Sequence, residues 1–199
     1  MSFTTLKVNK KLFKSWYEIK TSNHDVLYKY QRSTVRLNEE VLLPTSKGQT
    51  SWRITTSSNL THSLISNNTL TLKLNFEYEL FRSVFELDKE EFFWILEPDD
   101  TARLYRNRKE VVGSLRATYN TSISSSELEI SNKLGISLQG LFISSGLKTL
   151  QLMEAQGRTF GELRRRLKTQ EQLREDALTE GTMFASASGN LASSLAYLI

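Results

Sequence analysis

Along the chain, apolar positions recur first at a period of two and later at helical spacing, and the change falls near residue 134. Trp16–Ile19 and Val26–Tyr30 are rich in β-formers, and Val35–Leu43 continues that pattern. Pro44 and Gly48 bracket a turn by their chemistry. Ser51–Thr55 puts Trp52 and Ile54 on one face, and Leu70, Leu72, Leu74 and Phe76 share a face at strict alternation. Phe81–Leu87 and Glu91–Leu96 form the next pair, joined by the polar link Asp88-Lys89-Glu90. Phe92–Leu96 is apolar on both faces, as suits a strand covered on both sides. Ala102–Tyr105, Val111–Thr118 and Glu127–Ile130 complete the series, with turns at Glu97–Asp100 and Asn107–Glu110. Many short strands separated by turns predict a meandering antiparallel barrel or sandwich over residues 16–157, preceded by a basic and aromatic arm at 1–15.

From Leu134 to about Met153 the texture is helical. Leu134, Leu138, Leu141 and Phe142 lie at helical spacing, while Ile136, Ile143, Leu147 and Leu150 cover other sides. A helix apolar around most of its circumference has to be buried. Gly140, Ser144, Ser145 and Gly146 leave room for surrounding strands to approach. Their weak helix propensity means that packing must hold the helix. One buried helix after a run of strands therefore predicts a mainly β protein, with the helix inside the sheet.

Residues 158–199 read as an amphipathic helical tail. Leu163, Leu167 and Leu173 mark a narrow apolar stripe between Phe160 and Leu178, flanked by Arg164, Arg165, Arg166 and Lys168 with Glu171, Glu175 and Asp176. Leu191, Leu195 and Leu198 align in an apolar C-terminal segment that should dock on its own barrel or on a partner.

Composition narrows the chemistry. The 199 residues include no cysteine and two histidines, His24 and His62, which removes disulfides, thiolate metal sites and cysteine nucleophiles and leaves no His-rich metal site. There is no G-x-S-x-G, Walker A or dinucleotide fingerprint, and the acid pairs Glu90/Glu91 and Asp99/Asp100 are adjacent rather than convergent. The expectation is a protein without catalytic activity, cofactor or metal. No apolar run reaches the ~18 residues that a membrane span needs. The first twenty residues lack an apolar core like that of a secretory signal, so a cytoplasmic location, peripheral to a membrane, is expected. The net charge of +4 is too diffuse for specific nucleic-acid binding. It is concentrated at the start of the chain, with ten basic against four acidic residues in 1–57.

The order of segments from Phe81 carries a resemblance. Phe81-Arg82-Ser83-Val84-Phe85 leads to Glu91-Phe92-Phe93-Trp94, then to Leu104-Tyr105-Arg106 and Val111-Val112-Gly113-Ser114-Leu115. Glu127-Leu128-Glu129-Ile130 and a helix with Ser145-Gly146-Leu147 close the run. This order resembles the distal half of the tubby C-terminal-like superfamily, which includes LURP-one-related, phospholipid-scramblase-like and fungal domains of unknown function. The likeness spans residues 16–155 and is carried by 81–155. It implies a closed antiparallel barrel of about twelve strands threaded by an apolar helix near its C-terminus. It also implies non-enzymatic binding of phosphoinositides or anionic membrane surfaces through exposed Lys and Arg, so the expected partner is an anionic lipid headgroup or a protein at a membrane surface. The chain departs from the family in the residues that follow the helix and in the long polar stretch 57–68.

Within that frame the candidate phosphate ligands are Arg103, Arg106, Arg108, Lys109 and Arg116, in and around one hairpin; Arg offers a fork that matches phosphate oxygens. An ordinary solvated hairpin, offset by Asp99, Asp100 and Glu110, accounts for the same residues. Lys10, Lys11 and Lys14 beside Trp16 suit a membrane or partner contact, or equally an arm packed on the barrel. The Arg164–Lys168 run fits a charged helix face. The competing expectation is a structural, self-assembling subunit of viral-matrix or coat type, whose copies associate through 158–199.

Overall fold

The computed structural model describes residues 3–10, 16–32, 38–47, 49–117, 125–131 and 136–174. Twelve strands follow one another: β1 Phe3–Lys10, β2 Trp16–Thr21, β3 Val26–Arg32, β4 Glu39–Pro44, β5 Trp52–Thr56 and β6 His62–Ser66. Next come β7 Thr71–Glu77, β8 Arg82–Leu87, β9 Glu90–Leu96, β10 Thr101–Arg106, β11 Glu110–Ala117 and β12 Ser125–Ser131. Each strand pairs antiparallel with its neighbours in sequence, and β1 pairs with both β2 and β12, so the sheet closes into a barrel. Closure leaves none of the twelve described strands with an unpaired edge. Helix α1, Ile136–Ala155, follows β12. A second helix, α2, covers 160–174. By compactness the chain divides into two units, Met1–Gly161 and Glu162–Ile199.

The mainly β barrel with a buried helix is thus the observed fold, with two differences from the sequence reading. Residues 3–10, read as part of an arm, are the strand that closes the barrel: Leu6 and Val8 face inward, and Lys7 faces out. The polar stretch 57–68 contains β6, whose inward side chains are Ser63 and Ile65. Ser63 is accommodated inside because its hydroxyl bonds that of Thr56, 3.0 Å away on β5.

Alternation sends one side chain in two toward the axis. Trp52 and Ile54 of β5, Leu72, Leu74 and Phe76 of β7, and Phe92, Trp94 and Leu96 of β9 all lie in the core. α1 meets them from every side, and residues 141–150 are buried without exception. Phe142 tilts against both Phe85 and Phe92, with ring centroids 6.1 and 5.4 Å apart. Gly140 lies against the Trp52 indole and Gly146 against that of Trp94, so each large side chain fills the notch of a helical glycine. Trp94 Nε1 donates to Ser145 Oγ at 2.9 Å, and Ser83 and Thr149 share a 2.6 Å hydroxyl bond. Gly157, at φ +68°, ends α1. The N–H groups of Arg158 and Gly157 return to the carbonyls of Met153 and Glu154, the pairing of a left-handed glycine cap.

Candidate functional site

Two tight turns aim the predicted cations. Asp88 and Lys89 join β8 to β9 with both φ values positive, the mirror-image turn whose twist suits a hairpin. Asn107 and Arg108 repeat that conformation at the β10–β11 tip. The Asn107 backbone N–H donates to Glu91 O, while its side-chain oxygen accepts from the Glu91 N–H at 3.0 Å. That exchange fixes the tip against β9.

The five candidate phosphate ligands do not form one site. Arg103 is held by Glu97 and Asp99. Arg106 is held by Glu110 and, at 3.7 Å, by Glu90. Arg108 lies over the outward ring of Phe93, 5.2 Å from its centroid, with Arg82 at 5.5 Å from the same centroid. Lys109 and Arg116 are exposed, and among the described residues no carboxylate lies within ion-pair distance of either. Register sets those two far apart, because Arg116 pairs with Thr101 at the end of the hairpin opposite the tip. Roughly seven residues of extended strand separate them, on the order of 20 Å.

Arg103 and Arg116 do share a surface hollow of about 320 Å³ on the outer wall, lined also by Thr101, Val111, Gly113, Ser114, Glu127 and Glu129. Its geometry follows from register. One row across the strands runs Thr101, Arg116, Glu127; the next runs Arg103, Ser114, Glu129. Gly113 contributes backbone to its lining, and the register shift between Leu104 and Tyr105 breaks the regular pleat beside it. Ser114 donates to Glu129 at 3.2 Å. Arg116 and Glu127 stand directly opposite each other, yet among the described residues neither is in an ion pair.

Lys10 ends β1 opposite Tyr17, and Trp16 begins β2 opposite Gln31. Lys11, Lys14, Leu191, Leu195 and Leu198 lie outside the described residues. On α2, Leu163 is half-buried, whereas Leu167 and Leu173 are exposed. Glu162 pairs with Arg165 and Arg166 on that helix, which accounts for part of the arginine run.

Sequence reading missed a buried ionic cluster. Lys148 of α1 meets Glu40 of β4 at 2.8 Å, with side chains 6% and 4% exposed respectively. Tyr30 donates to Glu40 at 2.6 Å and Gln151 Nε2 at 2.9 Å, so both carboxylate oxygens are satisfied. Burial alone would raise the Glu40 carboxyl. The Lys148 charge and the bonds from Lys148, Tyr30 and Gln151 outweigh it and hold the group below its ordinary value. Burial pushes the neighbouring Tyr17 phenol up, with Glu154 and Glu40 adding to the effect. The signal for this cluster was Lys148 itself, the one charge in an otherwise uncharged stretch from 136 to 153. Among the described residues no group of His, Asp or Glu is arranged to hold a metal ion.

What the fold and site define is a filled, closed barrel with a polar hollow on its outer wall. No family model matches the chain, and no curated protein does. An X-ray structure of a protein from Arabidopsis thaliana is similar over 75% of this chain and 90% of that one, at 13% identity and a TM-score of 0.43. At that level the fold assignment rests on this chain's own strand order. Among the described residues no helix is long and apolar enough to cross a membrane.

Proposed function

We propose that the protein is a non-enzymatic binding domain that docks a phosphate-bearing lipid headgroup, at a membrane surface, on the outer wall of its barrel. The observation behind this reading is Arg116, an exposed guanidinium over the hollow on β10–β12 with no ion-pair partner among the described residues. Because α1 occupies the barrel axis, a ligand engages the wall rather than the interior. Arg116→Glu is expected to reduce retention on phosphatidylcholine vesicles doped with phosphatidylserine on the order of tenfold. Retention by the parent protein should weaken with salt. Lys73→Glu, an exposed change on β7, should leave retention unchanged. Equal retention of Arg116→Glu and the parent would overturn the reading.

A second reading, self-association through the tail, is favoured by the exposure of Leu167 and Leu173 on α2. It predicts concentration-dependent sedimentation of the full chain without vesicles, abolished in a Leu167→Glu, Leu173→Glu variant.

A further inference from the structure

We propose that the outer-wall hollow on β10–β12 selects a small zwitterion carrying both a phosphate ester and a primary amine. The inference rests on the phosphate-binding reading above and names the ligand class of that same site.

Charge is ordered across three strands. Arg103 and Arg116 stand on β10 and β11, the neutral hydroxyls of Thr101 and Ser114 on the same two strands, and Glu127 and Glu129 on β12. The hollow is therefore dipolar rather than basic. A ligand with several phosphates would set negative charge against two exposed carboxylates. A phosphate with no amine would satisfy Arg116 and leave Glu127 and Glu129 unanswered. An ethanolamine-type ester separates its phosphorus and ammonium by about one strand spacing, ~5 Å. The backbones of Arg116 on β11 and Glu127 on β12 stand one such step apart.

Two features sharpen the match. The Arg103 fork is occupied by Glu97 and Asp99, so Arg116 is the cation open to a phosphate. Beyond Glu127, the next residue in register is the exposed Lys7 of β1. At Glu127 the acidic strip is thus one strand wide, with Arg116 in register on one side and Lys7 on the other. A short amine ends on the carboxylates, whereas a longer one would reach Lys7 and be repelled.

The test compares soluble O-phosphoethanolamine, inorganic phosphate and ethanolamine by chemical-shift titration of the full chain. The ester is expected to bind roughly three- to tenfold more tightly than inorganic phosphate, the size of one exposed ionic contact. The paired substitution Glu127→Gln, Glu129→Gln should abolish or reverse that preference. Gln at 129 keeps an acceptor for Ser114, so the fold should be retained, as a far-UV spectrum would check. Equal binding of ester and inorganic phosphate, or a preference unchanged by the Gln pair, overturns the zwitterion assignment and leaves phosphate binding standing. A titration in which no phosphate-bearing probe binds overturns both. Phosphatidylcholine vesicles doped with phosphatidylethanolamine or with phosphatidic acid separate the sources. Preferential retention on the former assigns the ligand to a membrane, and response to the soluble ester with retention on neither assigns it to a free small molecule.

Discussion

Lys148→Met is expected to destabilise the barrel by ~3–5 kcal/mol, because it strands the Glu40 carboxylate at 4% side-chain exposure without its counter-charge. Urea unfolding with a shared m-value measures the loss. The pair itself has little net worth against an apolar replacement, since both ions give up their hydration on burial. The double variant Glu40→Leu, Lys148→Met should therefore recover most of the stability. A double variant as weak as the single one would show that the cost lies in lost packing rather than in a stranded charge.

The pH dependence has a definite sign. Glu40 is held below its ordinary value in the folded protein, so within the ordinary carboxylate range the unfolded chain binds more protons than the native one. Its contribution is present above the ordinary carboxylate range and is lost as pH falls through the lowered value. Glu40→Leu, Lys148→Met should flatten that acid limb of the stability profile.

This cluster also explains how a nearly featureless helix is held in one orientation. α1 is apolar on every side, inside a barrel apolar on every side, so hydrophobic burial alone favours no particular rotation. Polar pairs on different faces supply the preference: Lys148 and Gln151 toward Glu40 and Tyr30, Ser145 toward Trp94, and Thr149 toward Ser83. Each is satisfied in the observed register, and a rotated helix would bury several without partners.

Legibility in the sequence followed the strength of the local pattern. β7 and β9 were plain because their inward positions are large and apolar without exception, Leu72, Leu74 and Phe76 in one and Phe92, Trp94 and Leu96 in the other. β6 was not, because a serine holds one inward position and Leu64 faces outward. β1 read as an arm because its identity as a strand depends on β12 at the far end of the sheet, a pairing with no local signature. The α1 helix was visible because its apolar residues ignore any one face. The site was the least legible part. Adjacency made one cluster of five cations, whereas register and the carboxylates of Glu90, Glu97, Asp99 and Glu110 divide it. Glu127 and Glu129, the residues that give the hollow its polarity, lie on a strand that only the pairing of β11 with β12 brings alongside.

Gly146→Ala should destabilise the protein by ~1–3 kcal/mol, opposite in sign to the ~1 kcal/mol that alanine gains over glycine in an exposed helix. A Cβ at that position would lie 2.7 Å from Trp94 Cζ2 and 3.0 Å from Cη2. The indole cannot easily retreat, because Trp94 is wholly buried and its Nε1 is tied to Ser145 on the same helix. The strain should therefore be shared between the helix and β9. Trp94→Phe removes the atoms in conflict, at the separate cost of the Ser145 bond. In a double-mutant cycle, the pair should lose less than the sum of the two single losses, with a coupling above ~0.5 kcal/mol. Additive losses would place the damage of Gly146→Ala in the helix backbone and remove the notch from the account of how α1 is seated. The same reasoning applies to Gly140 and Trp52, where the clash is closer still. Two tryptophans from β5 and β9 then fix the helix along its axis, and the polar pairs fix its rotation.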